Sequence, residues 1–434
     1  MQFKQYPSYK NSGVEWLGDV PEDWEVIPSK FYFTERKEKA ESSDKQLTAS
    51  QKHGIIFQED FMAENGRVMV VMKNPEILKK VRPNDFVISM RSFQGGLELS
   101  YLEGSISSAY VMLKPNLNVV DIEYFKYSFK TTRYIQSLQS TSNLIRDGQA
   151  LRFNNFSQVK LVLPPKADQQ KIVSFLDTET ARIDTLIAKQ EKLIELLEEQ
   201  RKSIISHAVT KGLNPNAPMK DSGVEWLGEV PEHWDVAVVK RAFIVKLGKM
   251  LQPEQKDETD VLKKYLKASN LTWGGVKDIE NEMWFSKNEL KKLKLEIGDL
   301  LVAEGGDVGK SCIFDSNEEF YYQNSVNRVR AQKNNANKFL YYWLFTLKHS
   351  GYIDILCNKS TIAHFTAEKL NETILLLPDS VEQNEIIAYL DHENEKINHL
   401  ILKQNQLIEK LREYRASIIS HAVTGKIDVR EFGA

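Results

Sequence analysis

Two glycine-containing segments carry side chains suited to reading DNA bases. Ser89-Met90-Arg91-Ser92-Phe93-Gln94-Gly95-Gly96 offers Arg91 and Gln94, types that pair bidentately with guanine and adenine edges, with Ser89 and Ser92 as hydroxyl donors. Glu304-Gly305-Gly306-Asp307-Val308-Gly309-Lys310-Ser311 offers Glu304, Asp307 and Lys310. Further candidates are Asn143, Arg146 and Gln149 in the first half, and Gln323, Asn324, Lys359 and His364 in the second. An ordinary glycine turn with solvated polar side chains accounts for either segment equally well.

Catalytic chemistry finds less support. Gly309-Lys310-Ser311 resembles the end of a phosphate-binding loop, but that motif needs glycine at Glu304 and a long helix after Ser311. Cys312-Ile313-Phe314 reads instead as a strand. Pro164-Pro165 stands between Leu163 and Lys166, so the Asp/Asn-Pro-Pro-aromatic signature of adenine methyl transfer is absent. Cys312 and Cys357 lie in no metal-binding spacing and are expected to be reduced thiols. No carboxylate cluster marks a metal-dependent nuclease.

The elements that must position these segments come in duplicate. Ser12-Gly13-Val14-Glu15-Trp16-Leu17-Gly18 returns as Ser222–Gly228, and each copy continues into Val-Pro-Glu-x-Trp, at Val20–Trp24 and Val230–Trp234. Ser203-Ile204-Ile205-Ser206-His207-Ala208-Val209-Thr210 is repeated at Ser417–Thr424. Between the shared ends lie two bodies, roughly 25–162 and 235–376, that barely resemble each other. Matching ends suit one architectural role, and unlike middles suit two recognised targets. The repeated tryptophans Trp16, Trp24, Trp226 and Trp234 are expected to pack the root of each body on the helices. In the bodies, Asp85–Ser89 and Asp299–Ala303 read as strands, and Tyr124–Tyr127 and Phe339–Leu344 as helix starts.

Each body leads into a long amphipathic segment. Ile172, Leu176, Ile183, Leu186, Leu193, Leu197 and Ile204 recur at heptad spacing, as do Ile386, Leu390, Ile397, Leu400, Leu407, Leu411 and Ile418. Glu179 with Glu393, and Gln190 with Gln404, interrupt both series at matched places. The residues from Ala167 to Val209 make a helix roughly 65 Å long. An antiparallel pairing of the two helices is expected; two separate helices, each folded on its own body, is the other possibility. The expected fold is therefore two α/β heads with long α-helices, related by an internal pseudo-two-fold repeat. The expected boundaries are a first head at 1–162, a helix at 163–211, a linker and second head at 212–376, a helix at 377–424 and a tail at 425–434.

Composition permits this plan. The chain has 434 residues, 41% of them hydrophobic and 27% charged, and a net charge of −2. A coating of DNA by overall basicity is excluded. Residues 67–152 hold twelve Lys/Arg against seven Asp/Glu, whereas both helices are net acidic, so any DNA contact is focal. The opening residues lack the apolar stretch of a signal peptide and no apolar run is long enough to span a bilayer, which makes a cytoplasmic location, without a membrane partner, the expectation.

With these motifs in view, the chain resembles the specificity subunits of type I restriction–modification systems. The resemblance rests on the Ser-Gly-Val-Glu-Trp-Leu-Gly-x-Val-Pro-Glu-x-Trp opening, the Leu-Pro-x-x-x-x-Gln step into each helix at Gln169 and Gln383, and the Ser-Ile-Ile-Ser-His-Ala-Val-Thr ending. It covers the whole chain. The family usually has Glu before that Gln; Glu382 matches, whereas Asp168 departs. The resemblance implies a non-catalytic, DNA-binding chain whose heads are target recognition domains, each reading half of a split duplex sequence. It implies that the helices (Gln169, Ile172, Leu176, Ile183, Leu193; Gln383, Ile386, Leu390, Ile397, Leu407) form the coiled-coil spacer and dock two modification subunits. Those partners would hold S-adenosylmethionine, this chain would bind no cofactor or metal, and motor–nuclease subunits would join the complex. A two-headed coiled-coil scaffold that binds other proteins is the rival reading.

Overall fold

The computed structural model describes residues 3–65, 77–90, 92–142, 151–357 and 363–432. The chain forms two compact units, Met1–Gln190 with Gln406–Ala434, and Glu191–Asn405.

The first unit is built on an antiparallel sheet of β1 (Phe33–Arg36), β2 (Phe86–Ile88), β3 (Glu98–Leu99) and β4 (Val111–Pro115), in the order β1-β4-β2-β3. The second has β5 (Phe243–Leu247), β6 (Leu300–Ala303), β7 (Ser311–Ile313) and β8 (Val326–Ala331), in the order β5-β8-β6-β7. The two orders are the same, although the sequences are not. β2 and β6 are short apolar runs buried along their whole length, as central strands require. Each is preceded by an aspartate that closes a turn. Asp85 accepts from the Arg82 amide and Asp299 from the Glu296 amide, both at 2.9 Å. Each carboxylate also takes a two-pronged bond from an arginine, Arg36 on β1 or Arg330 on β8.

The helices run Lys166–Lys211 and Ser380–Val423, 46 and 44 residues long. Gly212 and Gly425 follow them with φ of +76° and +71°, the left-handed conformation that ends a helix and that glycine adopts without strain. In the first unit Ile172, Phe175, Leu176 and Ile183, from the start of one helix, share a core with Ile418, Ile419, Ala422 and Val423, from the end of the other. Phe33, Phe86, Phe125, Phe129 and Phe156 fill the rest of that core, with contacting ring centroids 5.0–5.9 Å apart. In the second unit Ile205, Ala208 and Val209 pack with Ile386 and Leu390 around Trp234, Phe339 and Trp343. Within each unit the helices are therefore antiparallel and packed together. Arg415 to Asp184 in one unit, and Arg201 to Asn398 in the other, bridge them by hydrogen bonds.

The heptad reading needs correction at mid-helix. Ile397 is buried, but Leu193 and Leu407 are 40% and 41% exposed, and the neighbouring Ile408 is 4% exposed. The seam itself keeps heptad spacing, through Ile183, Gln190 and Leu197 in one helix and Ile397, Gln404 and Leu411 in the other; its second row lies four residues on, at Ile187 and Ile194 and at Ile401 and Ile408, so Leu193 and Leu407 stand one residue outside it.

Candidate nucleic-acid interface

Each head is fixed to its helix by one glutamine. The Gln169 carbonyl accepts from the Asp121 amide at 2.7 Å, and its Nε2 donates to the carbonyls of Val119 and Pro164 at 2.8 and 2.9 Å. Gln383 accepts from the Ala336 amide at 3.0 Å and donates to Asn335 Oδ1 and the Pro378 carbonyl at 3.0 and 2.9 Å. Both side chains are fully buried, so they serve the joint and offer nothing to a partner. The joint also receives the end of the opposite helix: Trp24 lies against Gly425, and Trp234 against Gly212. Trp24 and Trp234 are fully buried, whereas Trp226 is 41% exposed and stacks on Tyr352 with centroids 4.5 Å apart.

With the frame held in this way, loops leave the ends of β2 and β6. In the second head the loop after β6 gathers several candidates. The Glu304 amide donates to the Ser325 carbonyl at 2.9 Å, and the Glu304 carbonyl accepts from the Phe365 amide at 2.8 Å. His364 is exposed beside Gly305, its ring 3.8 Å from where a Cβ on that glycine would stand. Gln323 accepts from Ser325 Oγ at 3.2 Å, and the Asn324 amide donates to the Lys249 carbonyl at 2.8 Å. Glu304, His364, Gln323 and Asn324 thus converge at one end of the sheet. Burial raises the Glu304 carboxyl above its ordinary range. Asp307 and Lys310 are paired with each other at 2.8 Å, and Asp307 also meets Lys348 at 3.2 Å. These three charges largely satisfy one another, and the Lys310 and Lys348 ammonium groups hold the Asp307 carboxyl below its usual range despite partial burial.

Three comparisons with known proteins bear on this arrangement. The profile of the type I restriction modification DNA specificity domain matches residues 99–196 and 243–410. The chain belongs to that family. It is 25% identical over 443 residues to the type I restriction enzyme MjaVIII specificity subunit of Methanocaldococcus jannaschii, covering 99% of this chain and 98% of that one. It is 24% identical over 379 residues to the EcoKI specificity subunit of Escherichia coli, covering 80% and 76%. In fold it is similar to the HsdS subunit of Thermoanaerobacter tengcongensis, with a TM-score of 0.56, 14% identity and coverage of 94% and 98%. A chain from a type I R-M system, solved to explain complex assembly and conformational transition, gives a TM-score of 0.69 at 14% identity, covering 93% and 98%.

A type I specificity subunit is a DNA-recognition chain and not a catalytic one. Both cysteines are buried, and burial pushes the Cys312 thiol up to about 12, which keeps it unreactive at neutral pH. Among the described residues no cluster of His, Cys, Asp or Glu could hold a metal ion, and no helix is long and apolar enough to cross a membrane.

The first-head candidates of this specificity subunit fare differently. Ser89 and Ser92 are corrected: they are 5% and 1% exposed, and Ser92 Oγ accepts from the Ser89 amide at 2.9 Å, so both close the turn after β2 instead of facing a ligand. Gln94 is exposed. Arg91, Asn143, Arg146, Gln149 and Lys359 lie outside the described residues. Sequence reasoning passed over Met90, 47% exposed in the first loop, and Met250, 74% exposed beside the Gln323–Asn324 turn. The available signal was an apolar residue placed two or three positions past a strand end, where the buried pattern should have stopped.

Proposed function

We propose that each head reads one half of a split duplex sequence, and that the helix pair sets the gap between the halves and docks two modification subunits. On this reading S-adenosylmethionine is held by those partners, which methylate adenine, while motor–nuclease subunits join the same cytoplasmic complex. The observation that carries the proposal is a frame repeated twice, bearing unlike loops at the same sheet position. Base edges supply sequence information, whereas phosphate contacts supply position, so the unlike loops are the readers and the shared joints are not. A helix of 46 residues is about 69 Å long, ample for half-sites separated by a turn or more of duplex.

The experiment is methylation mapping. The chain is assembled with its modification subunit, residues 25–162 are exchanged for another first body, and the methylated adenines are located. One half-site is expected to change while the other persists. Both half-sites unchanged would remove the reader assignment. Inserting four residues, about one helical turn, into each long helix is expected to alter the gap and leave both half-sites intact.

A further inference from the structure

β2 and β6 occupy the same place in the same sheet order, and each follows the same aspartate turn and arginine pair. The register fixes the correspondence. Phe86 pairs with Leu113 and Leu300 with Val329, and the next residues along each strand pair in step. Two residues past Ile88 stands Met90; two past its counterpart Val302 stands Glu304. The same place just past the strand end thus presents a thioether in the first head and a carboxylate in the second.

Neither side chain has a task in the frame. The turn after β6 is held by the Glu304 backbone, through Ser325 and Phe365, which any residue would supply. The Glu304 carboxylate is half-buried, yet its one hydrogen bond among the described residues is a long one, 3.5 Å from Asn327 Nδ2. No ion pair reaches it within 4 Å among those residues. Asn327 is itself fully buried and turns its amide mainly to the Phe365 carbonyl, at 3.2 Å. A carboxylate without a proper donor in a partly dry place is an acceptor awaiting one. Gly305 and Gly306 follow directly, and a Cβ on Gly306 would meet nothing within 4 Å, so space is open for a close approach. In the first head Met90 is 47% exposed in place of that acid.

We infer that residues 90 and 304 are the matched specificity-determining positions of the two heads: Glu304 accepts from the exocyclic amino group of cytosine or adenine, and Met90 packs on the methyl group of thymine. The inference rests on the heads being the DNA readers. The chemistry follows from the groove edges, where cytosine N4 and adenine N6 are donors and thymine alone carries a methyl.

The test is a reciprocal exchange, Glu304→Met and Met90→Glu, each in the chain assembled with its modification subunit. Methylation is mapped on a plasmid library randomised at both half-sites. Glu304→Met is expected to lower the preference for an amino-bearing base at one position of one half-site about tenfold, with thymine gaining there. Wild-type maps with cytosine or with adenine at that position distinguish the two sources of the amino group. Met90→Glu, at a residue 47% exposed, is expected to bring an amino-bearing base into one position of the other half-site. Preferences unchanged in both variants, or weakened uniformly at all sequences, would overturn the inference while leaving the reader assignment standing. A wild-type complex with no sequence preference would remove both.

Discussion

Replacing Glu382 by Asp tests how the second head is fastened. Glu382 Oε2 accepts from the Trp234 indole N–H at 2.8 Å and lies 2.8 Å from His233 Nε2. Trp234 is fully buried, so its indole N–H has no other protein acceptor among the described residues once the carboxylate is drawn back by one methylene. A hydrogen bond to a charged group contributes ~1.5–3 kcal/mol and a buried orphan donor costs ~1–3 kcal/mol, so a loss of about 2 kcal/mol is expected. For a unit of this size that corresponds to a fall in melting temperature of about 4–8 °C. The first unit already shows the outcome: Asp168 stands where Glu382 does, and the Trp24 Nε1 has no hydrogen-bond partner among the described residues. Glu382→Gln keeps an acceptor at the same reach and should lose only about 1 kcal/mol. The assay is urea unfolding together with hydrogen exchange of the indole N–H groups in protein labelled at its seven tryptophans. The Trp234 indole should lose protection in Glu382→Asp and keep most of it in Glu382→Gln. A wild-type unfolding midpoint and a protected Trp234 indole in Glu382→Asp would refute the claim that this bond holds the joint.

Gln383→Ala removes three buried hydrogen bonds and is expected to cost about 3 kcal/mol, read as a lower urea midpoint for the second unit. Gln383→Glu should be no better, because a carboxylate would face two acceptors, the Pro378 carbonyl and Asn335 Oδ1. Burial raises Glu304 above its ordinary value of 4.5, so between the unfolded and folded values the folded state holds more protons. Its contribution to stability therefore declines as pH rises from the ordinary glutamate range and levels off above the folded value. Glu304→Met should lack that decline, which a difference in unfolding free energy between the two proteins across about pH 4 to 7 would reveal; parallel curves would contradict it.

Much of the frame was legible because it is written twice. Identical octamers announced equivalent helix ends, and apolar runs after Asp85 and Asp299 announced β2 and β6. What escaped was orientation. Ser89 and Ser92 have the chemistry of base-readers, but a hydroxyl four residues after a strand end also closes a turn, and only the fold shows which use prevails. Leu193 and Leu407 recur with the heptad, yet the second inward row runs one residue further on, through Ile194 and Ile408, and leaves them outward. The Asp168 departure, a conservative exchange on paper, leaves an indole N–H without a partner because reach, and not charge, is what the joint requires.

The two aspartate turns show why divergent bodies can keep one frame. Asp85 takes its arginine from β1, an edge strand, and Asp299 takes its arginine from β8, the strand beside it. The ion pair is common to both heads, while the strand that supplies it is not. The helix bridge makes the same point: Arg415 meets a carboxylate at Asp184, and Arg201 meets an amide at Asn398. A frame that accepts several side-chain solutions places weak constraints on the sequence of each body. Residues whose backbone serves the frame while their side chain does not are then the freest to differ in chemistry. Glu304 satisfies that condition and Met90 at the matched place is exposed, so a difference between a thioether and a carboxylate there is recognition chemistry that the fold can carry without being altered by it.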